Sequence, residues 1–137
     1  MAGSASDYLE NKILEHIVGK VSFAMPTAYV ALCTAAPGEA GSGAFISEVP
    51  NSGSYARKAT AGADWSSAVG GAISNANALS FVQATGSWGT ITHFALMTSA
   101  TYNGGYMLTW SDLTVPKSVE SGDTLQFAVG DLDLTCT

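Results

Sequence analysis

The chain has 137 residues, and only 12% of them are charged, about half of the usual fraction. Five basic residues against eleven acidic ones give a net charge of -6, which excludes the clustered Lys and Arg of a nucleic-acid-binding surface. The sequence contains no apolar run long enough to cross a membrane and no secretory signal at its start. The composition therefore predicts one domain, residues 1–137, whose weakly charged surface is partly covered by copies of itself or by a partner.

The N-terminal segment predicts one helix, over residues 7–18. Asp7 and Glu10 have the spacing of a capping box with Asp7 as the N-cap, and Gly19 supplies the stop. Between them, apolar residues recur at spacings of three and four and predict one apolar stripe along the helix. The stripe consists of Leu9, Ile13, Leu14, Ile17 and Val18.

After the helix the apolar period changes from 3.6 to two, the period of β-strands. Residues 27–34 are apolar on both faces, which predicts a central strand. Further strands are expected at residues 55–60, 78–82, 91–98, 106–111, 124–129 and 131–135, separated by turn residues. Gly122 and Asp123 are expected to form the turn that starts a final hairpin. The pattern predicts an all-β fold, an antiparallel β-sandwich, jelly-roll-like or immunoglobulin-like, with one N-terminal α-helix.

The histidines and cysteines form no catalytic or metal-binding spacing. His16 is expected at the polar edge of the helix, and His93 on a strand face shared with Ile91 and Ala95, as a core or interface histidine. The two cysteines, Cys33 and Cys136, are expected to be buried or idle thiols. The sequence therefore predicts a protein that is not an enzyme and that has no cofactor.

Other polar motifs also have simple structural interpretations. The pair Asp131 and Asp133 lacks the rest of a calcium loop and is expected to protect a sheet edge from aggregation. The glycine-rich segment at residues 38–43 lacks the phosphate-loop pattern. The adjacent Arg57 and Lys58 could contact an acidic partner surface but are too few to bind nucleic acid.

Aromatic residues in turn-like contexts leave two interpretations open. Trp88 and Tyr102 lie in the segments TGSWGT and TYNGGY. Their rings either cap the ends of the sandwich core or anchor an interface, where Trp and Tyr are enriched.

Five segments of the chain, in order, resemble those of a family of small tailed-phage virion proteins. They are residues 7–20 (DYLENKILEHIVGK), 29–37 (YVALCTAAP), 55–57 (YAR), 88–96 (WGTITHFAL) and 122–135 (GDTLQFAVGDLDLT). Members of that family are described as head decoration or as tail-fibre proteins. The resemblance covers nearly the whole chain and implies a virion structural protein.

The main functional hypothesis is a capsid decoration protein that binds the outer surface of the major capsid protein shell and stabilises it, acting as a dimer or trimer of this chain. Neither nucleic acid nor membrane is an expected partner, and the protein would lie on the virion after synthesis in the host cytoplasm. Candidate contacts are the loop at residues 38–44 and the side chains of Leu9, Ile13, Ile17, Arg57, Trp88 and Tyr102.

The alternative is a tail-attached fibre or receptor-binding module, whose exposed loops, such as residues 101–106, contact a cell-surface glycan. The compact length and the lack of a fibrous repeat favour decoration over this alternative. An enzyme acting on cell-wall polymer would need a pair of carboxylates in a cleft and ranks last.

Overall fold

The structure is a computed structural model that describes residues 3–39 and 42–135. One helix and nine strands are present among these residues, with short 3-10 turns at Gly43–Phe45 and Gly62–Asp64. The helix is α1 (Asp7–Ile17). The strands are β1 (Gly3–Ala5), β2 (Tyr29–Cys33), β3 (Lys58–Ala59), β4 (Ala72–Ser74), β5 (Leu79–Ser80), β6 (Gly89–Met97), β7 (Met107–Val119), β8 (Gln126–Phe127) and β9 (Asp133–Thr135).

The strands form one large antiparallel sheet and two small ones. The large sheet has the order β1-β7-β6-β2-β3, and β4 pairs with β9 while β5 pairs with β8. Apolar residues of the small sheets join those of the large sheet in one buried cluster, so the core lies between the layers. The prediction of an all-β, antiparallel sandwich with one helix is confirmed, as is the central position of β2.

The two faces of the large sheet carry separate apolar clusters. Alternate residues of β2 divide between them, because successive side chains of a strand point to opposite faces. Val30 and Leu32 belong to the main core, while Ala31 and Cys33 belong to a smaller cluster covered by Ile46. The segment around Ile46 thereby shields the outer face of the large sheet.

The N-cap of helix α1 lies one residue before the N-cap that the sequence predicted. Ser6, in extended conformation, is the N-cap and its hydroxyl accepts from the backbone N–H of Leu9. The prediction of Asp7 as the N-cap is therefore wrong, since Asp7 is already the first helical residue. Ser6 is buried and its backbone N–H donates to Leu108 O at 2.9 Å, which fixes the start of the helix to β7.

The prediction of a final hairpin is also wrong. The turn at Gly122 and Asp123 exists, with Asp123 Oδ2 accepting from the backbone N–H of Glu120 at 2.9 Å. However, β8 pairs with β5 and β9 pairs with β4, so the last two strands do not pair with each other. A second turn, closed by Asp131 N–H to Ala128 O at 3.0 Å, redirects the chain between them.

An irregularity in the pairing of β6 with β7 changes one predicted face. The register shifts between Ile91 and His93, so Ile91 enters the main core while His93 lies on the opposite face with Ala95. The expectation that His93 and Ile91 share a face is wrong because an irregular register breaks the alternation of two.

Within the described part of the chain, no helix combines the length and the apolarity needed to span a membrane.

Candidate functional site

The helix leaves much of its apolar stripe exposed. Its first turn packs on the core through Tyr8 and Leu9, yet none of its residues is fully buried. Farther along, four apolar side chains form what we call the helix patch. Its members and their exposed fractions are Leu14 (62%), Ile17 (70%), Val18 (76%) and Val21 (46%).

Of the three helix residues predicted as contacts, Leu9 and Ile13 are half-buried and Ile17 is exposed. Val21 was not among the predicted contacts because it lies beyond Gly19, the predicted stop of the helix, and α1 itself ends at Ile17. Because the chain leaves the helix after Ile17 and turns at Gly19, the helical spacing gave no signal for Val21. Contact of these residues with a partner stays a prediction.

Arg57, another predicted contact, is engaged inside the chain. The whole residue is 8% exposed. Its guanidinium forms two hydrogen bonds of 2.8 Å with the carboxylate of Glu48. The same carboxylate accepts from the hydroxyl of Tyr55 at 2.5 Å. The ion pair is almost fully shielded from solvent, so each charge depends on the other for its stability.

The ion pair also fixes the loop between β6 and β7. Arg57 Nη1 donates to Ser99 O at 2.8 Å and to Gly104 O at 3.0 Å. In that loop Tyr102 is half-buried and its ring meets the Tyr55 ring edge to face at 6.2 Å. The loop that the sequence proposed as a receptor contact is thus held at both ends by one buried guanidinium.

Tyr55 and Cys33, two of the side chains near this pair, have raised pKa values. Burial is the main cause at Tyr55 and at Cys33, and the nearby Glu48 carboxylate adds to it. Both side chains therefore stay protonated well above their usual range, as idle buried groups rather than nucleophiles. Burial of Cys33 is confirmed, whereas Cys136 lies outside the described residues.

Trp88 lies in the main core with an exposed fraction of 1%. Its indole Nε1 donates to Gly53 O at 2.9 Å, and its ring contacts Tyr55 and Phe81 edge to face. This placement matches the interpretation in which the ring caps the core.

The outer face of the large sheet carries two unsatisfied polar atoms. Trp110 Nε1 and Asp112 Oδ1 are buried and have no hydrogen-bond partner in the part of the chain that the structure describes. His93 lies opposite Asp112 in the register, contacts the Trp110 ring at 5.6 Å, and shares a hydrogen bond of 2.7 Å with the Thr92 hydroxyl. His16 lies far along the chain from this group, and its Nδ1 accepts from Phe23 N–H at 3.1 Å.

The remaining polar motifs are separate from these surfaces. Asp131 Oδ2 accepts from Ala128 N–H at 2.9 Å and closes a turn, while Asp133 lies in β9. Among residues 3–39 and 42–135, no group of three or more His, Cys, Asp or Glu could hold a metal ion. The predicted contact loop at residues 38–44 includes Ala40 and Gly41, which lie outside the described residues.

Comparison with protein families gives a match that spans residues 4–135. The matching family model is described as Podophage GP4 fiber I protein gp80. A comparison with curated proteins gives no match.

Proposed function

The chain belongs to the family of podophage GP4 fiber I proteins, and from this membership we propose that it is a subunit of a fibre attached to the phage tail. Membership makes it a structural protein of a phage virion. The match over residues 4–135 carries the proposal, because it covers the helix and all of the described strands apart from Gly3, the first residue of β1. It supports the alternative that the sequence left open, rather than capsid decoration.

As a fibre subunit the protein contacts other molecules and transforms none of them. The buried groups that could have been reactive, Tyr55 and Cys33, are held protonated by their surroundings. Both histidine rings make local hydrogen bonds, to Phe23 N–H and to the Thr92 hydroxyl. These observations support a role in binding and assembly without catalysis.

A receptor contact through the loop at residues 98–106 is the second part of the proposal. The loop carries no charged residue and has hydroxyl and amide side chains, which suits the neutral hydroxyl groups of a cell-surface glycan. Arg57 fixes its backbone at Ser99 and Gly104. A loop ordered before binding loses less conformational entropy when the ligand is bound.

The location can be tested on purified virions. Gold-labelled antibodies against the chain should bind the tail in electron micrographs, and quantitative mass spectrometry should give the copy number of a tail component. Labelling over the whole shell, with the copy number of a shell component, would instead establish capsid decoration.

The receptor contact can be tested with Asn103→Gly. Asn103 has a positive φ of 58° and an exposed side chain, so glycine removes the amide and keeps the backbone conformation. The matched control is Ser47→Gly, which changes another exposed residue with a positive φ of 54°. We expect only the loop variant to weaken binding to host cells, and equal binding by both variants would contradict a role for this side chain.

A further inference from the structure

We propose that the helix patch is the contact surface for a second copy of this chain, with the two α1 helices antiparallel across a two-fold axis. The patch consists of Leu14, Ile17, Val18 and Val21. This pairing goes beyond the proposed function and does not depend on where the fibre is attached.

The exposure of the patch is the first argument. Leu14, Ile17 and Val18 lie on one side of the helix because residues three and four apart are neighbours on a helix surface. Their exposed fractions range from 62 to 76%, whereas Leu9 in the first turn packs on the core. An apolar stripe without a partner along half of a helix indicates an interaction site.

The size of the patch is the second argument. The four side chains expose on the order of 400–500 Å², which is the size of a functional patch on a monomer surface. Two copies that cover each other's patches would bury roughly 900 Å² from these residues alone. Flanking residues bring the total to the approximately 1,000 Å² or more expected of a specific interface.

The charges at the two ends of the patch indicate a second copy in antiparallel orientation. Glu10, one turn before Leu14, is exposed, and Lys20, just beyond the helix end, is exposed as well. In an antiparallel pair Glu10 of each copy lies level with Lys20 of the other. A parallel pair would instead place like charges together, which is destabilising. The same surface therefore complements itself in both shape and charge, as a two-fold interface requires.

Self-association can be measured on the full-length chain by sedimentation velocity, over concentrations up to roughly 100 µM. We expect a dimer whose dissociation constant rises at least about 30-fold in Val18→Asp, because a charge would be buried in the interface. Ile17→Lys should have the same effect and serves as a second variant if the first one fails to fold. A wild-type monomer or trimer, or an unchanged dissociation constant in a folded variant, would overturn the proposal.

Val69→Asp is the matched control. Val69 has an exposed fraction of 79%, close to that of Val18, but it lies beside the turn before β4 and is not part of the helix patch. The same substitution there should leave the dissociation constant unchanged. An equal loss of association in both variants would show a general effect of added charge and would also overturn the assignment of this surface.

The antiparallel orientation can be tested by exchanging charges. Glu10→Lys and Lys20→Glu should each weaken the dimer roughly three- to tenfold, and the double variant should restore it. Failure of the double variant to restore association would reject the antiparallel pairing of these residues.

Cysteine cross-linking gives an independent measure of orientation. In the proposed pair the two Leu14 residues are offset by about 3 Å along the helix axis, whereas the two Val21 residues are more than about 15 Å apart. In a Cys136→Ser background, Leu14→Cys should therefore form a disulfide-linked dimer readily and Val21→Cys should not. Efficient cross-linking at both positions would indicate parallel helices and overturn the proposal.

Discussion

The Arg57 guanidinium binds the Glu48 carboxylate through two parallel hydrogen bonds, Nε to Oε2 and Nη2 to Oε1, each 2.8 Å long. Both side chains are about 1% exposed. In a chain with few charges, this buried pair joins three separate segments, because Arg57 also donates to the carbonyl groups of Ser99 and Gly104. Its contribution is to fix the β6–β7 loop, since a buried ion pair as such adds little stability over apolar side chains of the same size.

Removal of one partner of this pair should be severely destabilising. Arg57→Met leaves the Glu48 carboxylate buried without its cation, and we expect the free energy of unfolding to fall by about 3–5 kcal/mol. Lys58→Met is the control, because Lys58 is half-buried and adjacent but outside the ion pair. Urea unfolding of both variants measures the difference, and a loss below about 1 kcal/mol in Arg57→Met would contradict the assigned role.

Gly43 lies where the segment before Ile46 contacts the β6–β7 loop. We expect any side chain at this position to disturb that contact. A Cβ atom at Gly43 would lie 2.2 Å from the backbone oxygen of Gly104, so the two segments would have to separate. Gly43→Ala should therefore lower the free energy of unfolding by about 1–3 kcal/mol.

Gly62→Ala provides the control for this substitution. A Cβ atom at Gly62 would meet nothing within 4 Å, so the same change should leave stability within about 0.5 kcal/mol of the wild type. Thermal unfolding of the two variants side by side tests the prediction. Equal melting temperatures would mean that the 43–104 contact is not close in solution.

The sequence was sufficient to predict the elements with a strong apolar period. The helix and β2 follow from spacings of 3.6 and two, and they bury or expose their residues accordingly. By contrast, β1 and β4 are only three residues long, too short to show an alternation, and their pairing with β7 and β9 depends on distant segments. Local pattern carries no information about such pairing.

The length of β7 was underestimated for a different reason. The sequence predicted this strand only over residues 106–111, whereas β7 extends through Pro116, a residue that cannot donate to a sheet ladder. In the structure, the four residues 113–116 lie opposite a single residue, Thr92, so the proline occupies a bulge and the strand continues to Val119. The sequence analysis also did not predict the Glu48–Arg57 ion pair, because only the fold brings these two residues together.

Trp88 and Trp110 should respond differently to replacement by phenylalanine. Trp88→Phe removes the hydrogen bond to Gly53 O and leaves a cavity in the core, at a cost of about 1.5–3 kcal/mol. Trp110→Phe removes an Nε1 atom that has no acceptor among the described residues, so its cost should be at least about 1 kcal/mol smaller. Guanidinium unfolding measures both, and equal costs would indicate that Trp110 Nε1 is satisfied in solution.

The raised pKa values of Tyr55 and Cys33 lead us to expect that the protein is less stable in alkaline solution. Burial raises the pKa of both groups in the folded chain above their ordinary values of 10.0 and 9.0. Above pH 9 the unfolded chain releases the thiol proton, and above pH 10 the phenol proton, while the folded chain keeps both. The unfolded state then binds fewer protons, so the free energy of unfolding falls as pH rises, by up to about 1.4 kcal/mol per pH unit for each group.

Cys33→Ala separates the two contributions. In this variant the part of the decline that begins near pH 9 should be lost, and the part that begins near pH 10 should remain, because Tyr55 is unchanged. Urea unfolding at several pH values between 8 and 11, for the wild type and the variant, gives the two slopes. For each protein, the free energy of unfolding is compared with its own value at pH 8, so that the cost of the smaller side chain cancels. Identical slopes in the two proteins would show that the Cys33 thiol ionises equally in the folded and unfolded chains, against the burial that the structure assigns to it.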